Sequence, residues 1–372
     1  MATTAEPASD DTPTRPSGPS RTPAAARALE GKKARPVLFW AALGTFFVCL
    51  QFYIYTRWIA SSDFTRTDTG PDPLPTATQV WVVGFQVLSV VLALVFVVWV
   101  VRQSLRERRL SFDAMLVIAW MSLYWQDPLL NYFRQQFFYN SGMINFGSWT
   151  EQIPGWISPQ ASQLPEPVLF VGVIYLWLGP LSALMAFGIM RAVKRRRPET
   201  SVFALLVSAW AVLFFWDILC EVIFIRTELY AYNGAIHGLS IFGGERYQFP
   251  VYEAFFWPMV WTAMGAIRFF RDDRGRTFLD RGLDRVRASR RNTTGLRLLA
   301  IIGFANLAMI IYTVPIWYSG MHAGRTPEGY PSYLTNEMCG EGTDYACTAP
   351  EIPIPLPGSG NVDPDGGLVP PS

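Results

Sequence analysis

Residues 79–101 read QVWVVGFQVLSVVLALVFVVWVV and contain no charged side chain. About 20 helical residues suffice to cross the roughly 30 Å hydrocarbon core of a bilayer, so this segment is long enough to span a membrane as one helix. Similar apolar segments recur at 37–58, 112–131, 167–190, 202–225, 250–270 and 297–318. Most are apolar on every side, which is typical of helices that face lipid and one another. The sequence therefore predicts an all-α fold, a polytopic membrane helical bundle of about seven transmembrane helices within residues 36–320.

The composition of the 372-residue chain agrees with this class, because 51% of the residues are hydrophobic and only 16% are charged. The net charge of +2 gives no overall positive field, so we expect no nucleic-acid partner. The chain has two histidines, His237 and His322. Two are too few for the iron sites of membrane hydroxylases or the axial ligands of membrane b-type cytochromes. We therefore expect no metal site and no cofactor.

Positive charges are unevenly distributed between alternate connections. The N-terminal tail and the connections 102–110, 191–200 and 268–297 together hold 25 of the 31 Lys and Arg residues. Lys and Arg in short connections stay on the cytoplasmic side of a membrane. The sequence therefore predicts an integral membrane protein with its N-terminus inside the cell and its C-terminus outside.

Both ends of the chain lie outside the predicted bundle. Residues 1–35 are rich in Pro, Thr, Ser and Ala and lack a periodic apolar pattern, which predicts a disordered cytosolic tail. Residues 321–372 form an extracytoplasmic tail, and its Pro- and Gly-rich part, 350–372, is expected to be disordered. Cys339 and Cys347 lie in this tail on the side predicted to be oxidising, so we expect a local disulfide between them.

Four acidic residues lie within the predicted spans, although a carboxylate at the centre of a membrane helix costs about 2.5–3.5 kcal/mol. Asp127 is at the outer end of span three, and Glu253 is at the outer start of span six. Asp217 and Glu221 are four residues apart in span five, and Asp127 and Asn131 are four apart in span three, so each pair shares a helical face. Asp127, Glu221 and Glu253 lie about 4–6 Å below the outer ends of their spans, at 1.5 Å per residue, and Asp217 about 12 Å. If spans three, five and six are neighbours, the acids form one pocket that opens outward.

Grouped carboxyl groups in a poorly hydrated pocket do not all ionise, because desolvation and mutual repulsion raise the pKa of some of them. A protonated member can then act as general acid and an ionised neighbour as general base. We assign Asp217 and Glu221 as the catalytic pair, with Asp127 and Glu253 tuning or sharing these roles.

Polar and aromatic residues around the pocket are candidates for contact with a substrate. The asparagines and the tyrosine would orient hydroxyl groups, and the tryptophans would face a cationic intermediate. These candidates are Asn131, Asn140, Trp125, Trp149, Trp216 and Tyr252. The aromatic connection 132–166 is either a lid over the pocket or an interfacial belt. The acids also have a structural alternative, in which they pair with Arg134 or Arg226 or hydrogen-bond across helices.

Several polar and aromatic patches occur together in residues 36–320. They are WQDPLLNY at 125–132, Tyr139-Asn140, NFGSW at 145–149, PGW at 154–156 and Tyr252-Glu253. In this combination the chain resembles the AveC-like spirocyclase family. The best-known members of that family are integral membrane proteins of polyketide biosynthesis, which form a spiroketal from a dihydroxy-ketone with loss of water.

The resemblance implies an enzyme of the bacterial plasma membrane that catalyses acid/base dehydrative cyclisation of a hydrophobic polyketide-like hydroxy-ketone without a cofactor. Its implied partners are this substrate and the lipid bilayer. Two other functions remain open. One is a membrane cyclase of isoprenoid type, in which the same acids protonate an alkene or epoxide. The other is a non-enzymatic carrier for a hydrophobic ligand, with the acids as a proton relay, although carriers usually show paired repeats and this sequence shows none.

Overall fold

The structure is a computed structural model that describes residues 35–286, 289–336, 338–340, 343–354, 361–363, 365 and 367–369. The described part is mostly helical, as the sequence predicts. Its helices are α1 (Pro36–Ile59), α2 (Thr76–Glu107), α3 (Phe112–Met121), α4 (Val173–Arg196), α5 (Val202–Arg226), α6 (Val251–Phe269), α7 (Arg290–Met321) and α8 (Ser332–Thr335). A π-helical turn, Val168–Gly172, leads into α4. The predicted cytosolic tail 1–35 lies outside the described residues apart from Arg35.

Five of these helices are long and apolar enough to cross a membrane, which fits a membrane protein. They are α1, α2, α4 with its π-helical turn, α5 and α7. The helix α6 has 19 residues and includes Glu253, Pro258 and Arg268, and α3 has only 10 residues. The count of seven membrane spans and the orientation of the termini therefore stay predictions.

The third predicted span is not one continuous α-helix. The helix α3 ends at Met121, and a 3-10 helix, Tyr124–Asn131, replaces the rest of the predicted span. Its sequence contains Pro128 and three polar side chains, which favour a break in the α-helix. A 3-10 helix has three residues per turn, so residues four apart point about 120° away from each other. The prediction that Asp127 and Asn131 share one helical face is therefore wrong.

Glycine residues allow two pairs of helices to approach closely. A Cβ atom on Gly44 of α1 would overlap the main-chain carbonyl of Leu299 in α7. A Cβ atom on Gly265 of α6 would lie 2.6 Å from the carbonyl oxygen of Ala183 in α4. Small residues at such crossings are typical of helix packing in membranes. The second contact holds α6 against α4 and so helps to fix the height of Glu253.

The connections at one end of the bundle form a folded layer, here called the loop side. It comprises 60–75, 122–172, 227–250, 322–336, 338–340 and 343–354. Short antiparallel strands join its parts: β1 (Phe138–Tyr139) pairs with β2 (Tyr230–Ala231), and β3 (Ser240–Ile241) pairs with β4 (Phe249–Pro250). Single 3-10 turns occur at Thr150–Gln152, Ala161–Gln163 and His237–Leu239. The strand pair β1–β2 brings the connections 132–166 and 227–249 together.

The opposite end, here called the basic side, consists of the connections 108–111 and 197–201 and of the described residues 270–286 and 289 of the last connection. It includes the 3-10 turns Phe278–Asp280 and Leu283–Arg285. Arg281 accepts a main-chain hydrogen bond from Val37 at 3.2 Å, so the last of these connections contacts the start of α1.

The described part of the C-terminal tail packs on the loop side. Cys339 and Cys347 form a disulfide with their Cα atoms 4.8 Å apart. The guanidinium group of Arg134 donates hydrogen bonds to the carbonyl oxygens of Ala349, at 2.9 Å, and Ile352, at 2.5 Å. Farther along, β5 (Asn361–Val362) pairs with β6 (Leu368–Val369). The side chain of Arg134 thus holds the first described residues of 350–372 on the loop side, and disorder in 350–372 stays a prediction.

Candidate active site

A cavity of about 100 Å³ lies under the loop side. Three carboxyl groups from separate elements line it: Asp127 from the 3-10 helix, Glu221 from α5 and Glu253 from α6. The depths of these residues along their spans predict this convergence. Aromatic rings form most of the remaining wall, from Phe137, Tyr139, Phe170, Tyr175, Phe224, Tyr230, Tyr232, Trp257 and Tyr312. The cavity thus combines several acids with apolar walls.

Two tyrosines hold the carboxyl group of Asp127. The hydroxyl of Tyr139 in β1 donates to Oδ2 at 2.7 Å, and the hydroxyl of Tyr175 in α4 donates to Oδ1 at 2.8 Å. Burial, followed by the charge of Asp127, raises the pKa of Tyr139 well above its ordinary value. The phenol therefore stays protonated and remains a donor.

Tyrosines also hold the other two acids of the cavity. The hydroxyl of Tyr232 donates to Oε2 of Glu221 at 3.0 Å, and Tyr230 also hydrogen-bonds this carboxyl group. The hydroxyl of Tyr312 in α7 donates to Oε1 of Glu253. Burial and then the charge of Glu221 raise the pKa of Tyr230 and of Tyr232, so both phenols stay protonated.

Asp217 lies behind the cavity rather than on its wall. It is one helical turn from Glu221 on α5, and it is only 1% exposed. Its Oδ2 atom has no hydrogen-bond partner among the described residues. The charges of Glu221 and Glu253 act on it. The structure therefore brings the predicted pair Asp217 and Glu221 together, but only Glu221 faces the cavity.

Cations do not neutralise these acids. Among the described residues, none of the four predicted acids forms an ion pair. Arg134 binds main-chain carbonyl groups, and the guanidinium of Arg226 lies 3.9 Å from the ring centroid of Tyr247. The predicted alternative of ion pairs with Arg134 or Arg226 is thus not what the structure shows. The three acids of the cavity have hydrogen bonds to tyrosines of other elements instead.

The two candidate asparagines bind loop main chain. Asn131 accepts hydrogen bonds from the amides of Gln136 and Phe137, each at 2.9 Å. Asn140 donates to the carbonyl oxygen of Glu228 at 2.8 Å, which joins the two connections above the cavity. Neither side chain lines the cavity.

The four aromatic candidates also lie off the cavity wall. The indole of Trp125 donates to Oδ1 of Asn306 at 2.8 Å, and that of Trp149 donates to the carbonyl oxygen of Trp125 at 2.8 Å. The indole of Trp216 donates to Oγ of Ser182 at 3.1 Å.

Tyr252 accepts a hydrogen bond from the amide of Ile236 at 3.4 Å. Each of the six candidates thus has a structural contact, and a role in substrate binding stays a prediction for all of them.

Sequence reasoning missed the tyrosines of the cavity and one further acid. Tyr175 and Tyr312 lie in predicted spans, and a buried tyrosine hydroxyl in a span needs a partner, which was a usable signal. Glu166 precedes α4, is 2% exposed, and hydrogen-bonds the carboxyl group of Asp127. Burial and then the charge of Asp127 raise the pKa of Glu166 well above its ordinary value.

No group of three or more His, Cys, Asp or Glu residues in the described part of the chain is arranged to hold a metal ion.

A separate apolar groove of about 1080 Å³ lies between α1, α2 and α3. Valine, leucine and other apolar side chains form most of its lining, including Val97, Val101 and Val117. Tyr55 and Tyr124 line its end nearest to the acids. The ring of Tyr124 lies 5.9 Å from that of Tyr175, which binds Asp127. One layer of side chains thus separates the groove from the acids.

Comparison with known proteins identifies the family of the chain. No curated protein and no solved structure matches it significantly. The sequence model of the family described as "Spirocyclase AveC-like" matches residues 107–335, more than half of the chain, and this match includes all four predicted acids. The chain belongs to the AveC-like spirocyclase family.

Proposed function

We propose that this protein is a membrane-embedded enzyme that converts a hydrophobic dihydroxy-ketone into a spiroketal with loss of water. The observation that carries the proposal is the convergence of Asp127, Glu221 and Glu253 on one cavity, where they have tyrosine partners and form no ion pair with a described cation. Desolvation without a neighbouring cation favours the protonated form of a buried acid, and acid catalysis of a dehydration requires one protonated acid. Family membership supports cyclase chemistry.

The reaction needs acid and base in alternation. A protonated carboxyl group gives its proton to the ketone oxygen while one hydroxyl attacks the carbonyl carbon and gives its own proton to a carboxylate. A hemiketal forms, and the proton passes across the cavity back to the acid. The acid then protonates the hemiketal hydroxyl, and the bond between carbon and this oxygen breaks. Water departs, and an oxocarbenium ion remains. The second hydroxyl attacks this ion and gives its proton to a carboxylate. We assign Asp127 as the acid and Glu221 as the base, because they reach the cavity from different elements.

The aromatic walls support the cationic step. Trp257 and Tyr312, whose ring centroids are 4.9 Å apart, both line the cavity. An aromatic face attracts a cation, and the attraction grows when water is absent. The paired connections of β1 and β2 cover the cavity and would keep water from the oxocarbenium ion.

The volumes of the acid cavity and of the apolar groove support the proposal that the substrate is hydrophobic. Pockets for drug-sized ligands measure about 300–1,000 Å³, and the acid cavity, at about 100 Å³, is far smaller. It admits the reacting carbonyl and hydroxyl groups rather than a whole polyketide. We infer that the remaining chain lies in the apolar groove and that the side chains between the two spaces move when substrate binds.

The distribution of Lys and Arg indicates on which side of the membrane the acid cavity lies. With the basic side in the cytoplasm, as the distribution of Lys and Arg favours, the acid cavity lies near the outer leaflet of the plasma membrane.

The test is turnover by the purified protein in lipid vesicles. The probe is a synthetic linear dihydroxy-ketone with a long alkyl chain, and the product is followed by chiral chromatography. We expect one spiroketal stereoisomer at a rate above that of empty vesicles. Conversion equal to that of empty vesicles, or a product ratio equal to the uncatalysed one, contradicts the proposal.

A further inference from the structure

Glu166 has an unusual local setting. It lies between two prolines, in Pro165-Glu166-Pro167, immediately before the π-helical turn Val168–Gly172. The ring of proline fixes its own φ, and a following proline restricts the residue before it to extended backbone. π-Helical turns interrupt a regular helix and occur often at functional sites. The two prolines thus restrict the backbone of Glu166 at the start of α4.

The loop side fixes this segment further. The amide of Glu166 donates to the carbonyl oxygen of Gly147 at 3.3 Å, and the hydroxyl of Tyr124 donates to the carbonyl oxygen of Glu166 at 3.2 Å. The side chain is 2% exposed, and its Oε2 atom has no hydrogen-bond partner among the described residues. A buried carboxylate oxygen without a donor is costly, whereas a protonated one is much less so.

The carboxyl group of Asp127 is the polar group that Glu166 meets, through a side-chain hydrogen bond. A hydrogen bond between two carboxyl groups requires that one of them carries a proton. The other titratable groups around the pair include Glu253 from α6, which lines the cavity with Asp127. The remaining ones are Tyr55 from α1, Tyr124 from the 3-10 helix, Tyr139 from β1 and Tyr175 from α4. None of these is a cation, and neither carboxyl group forms an ion pair among the described residues.

We propose that Asp127 and Glu166 hold one proton between them. Glu166 is then the positioning residue that keeps this proton available to Asp127, the acid of the cavity. This inference rests on the proposed function, because it explains how Asp127 keeps its proton. Asp127 gives the proton to the hemiketal hydroxyl, whose oxygen leaves as water. The second hydroxyl gives its proton to Glu221 when it closes the spiroketal, and this proton passes across the cavity to the Asp127–Glu166 pair before the next turnover. The proton balance therefore closes without a co-reactant.

The first readout needs no substrate. Infrared spectra of the full-length protein in lipid vesicles record the carbonyl stretch of protonated carboxyl groups as a function of pH. Wild type should keep the component that belongs to the pair at pH 8, and both Glu166→Gln and Asp127→Asn should lose it. Glu151→Gln is the control, because Glu151 is an exposed residue of the same connection. A spectrum of Glu166→Gln that equals wild type at every pH overturns the proposal.

The second readout is the pH dependence of cyclisation of the synthetic dihydroxy-ketone. In Glu166→Gln the amide can still hydrogen-bond Asp127, but the negative charge of Glu166 no longer opposes the ionisation of Asp127, so Asp127 loses its proton at lower pH. The alkaline limb of kcat should move down by about one pH unit, while KM stays within about twofold because the substrate does not touch Glu166.

A second variant shows whether Glu166 positions a proton for Asp127 or has only a structural role. Glu166→Asp keeps a titratable carboxyl group and should retain part of the wild-type alkaline limb. A uniform loss of kcat at all pH values in both variants, with the wild-type infrared component retained, contradicts the proposal. Absence of turnover by wild type contradicts the proposed function alone, since the infrared component does not depend on turnover.

Discussion

Buried acids at the two ends of the bundle differ in the charge of their partners. On the basic side, Asp113 forms an ion pair with Arg268 at 2.6 Å, and Asp280 forms one with Arg297 at 2.9 Å. At the loop side, the acids of the cavity have tyrosine hydroxyls as partners, although Asp127 and Glu253 are as buried as the basic-side acids. The buried acids of the basic side therefore have cationic partners, whereas the acids of the cavity have neutral hydroxyl partners.

This difference separates structural acids from functional ones within one chain. A buried ion pair fixes neighbouring segments, and its charges cannot change without loss of the pair. An acid held by phenols keeps its geometry in both protonation states, because a phenol can donate to a carboxylate and accept from a carboxylic acid. The tyrosine partners at the cavity thus favour catalysis over a purely structural role for these acids.

The largest expected effect is on turnover at the cavity. Asp127→Asn or Glu253→Gln removes an ionisable group and should lower kcat by about 10²–10⁴-fold, while the melting temperature stays equal to or above that of wild type. The measurement is turnover of the synthetic dihydroxy-ketone per amount of folded protein. Either variant cyclising it at the wild-type rate removes that residue from the mechanism.

The matched change on the basic side should act on stability alone. Asp113→Asn leaves Arg268 without its bidentate partner, and the unfolding free energy should fall by about 3 kcal/mol. Thermal unfolding in detergent measures this loss, and kcat of the folded fraction should equal that of wild type. A large loss of kcat without destabilisation would erase the distinction between the two ends.

Removing one phenol hydroxyl at the cavity should lower kcat by an intermediate amount. Tyr175→Phe deletes the donor to Oδ1 of Asp127, and kcat should fall about tenfold, as expected for one hydrogen bond to a charged group. Tyr53→Phe is the control, since Tyr53 is exposed and its hydroxyl accepts a hydrogen bond from Arg57 away from the cavity. Equal rates for both variants would show that the phenol does not tune Asp127.

The smallest expected effect concerns the apolar groove. Val101→Trp adds bulk to the groove wall and should raise KM for the long-chain substrate severalfold, with kcat unchanged. Val95→Trp is the matched control, because Val95 lies on the same helix, is 58% exposed and does not line the groove. A similar KM for both variants would place the substrate chain elsewhere.

The helical class and the convergence of three acids could be predicted from the sequence, because apolar length and depth along a span are local properties. The register of Asp127 was misjudged, because Pro128 and its polar neighbours change the helix type and only tertiary contacts decide where α3 ends. The wall of the cavity could not be predicted either. Tyr139 and Tyr232 reach it through the β1–β2 pairing of two distant connections, which no spacing reveals. The Pro-Glu-Pro segment around Glu166 was visible and could have marked that acid.

The role of the acids can be measured in cells even while the natural substrate is unidentified. A strain that lacks this gene is complemented with wild type or with Glu221→Gln at equal membrane abundance, and extracted metabolites are compared by mass spectrometry. The account predicts that the Glu221→Gln strain accumulates a compound heavier by one water than the wild-type product and lacks the product itself. Equal amounts of the cyclised product in both strains would contradict acid/base catalysis at this cavity.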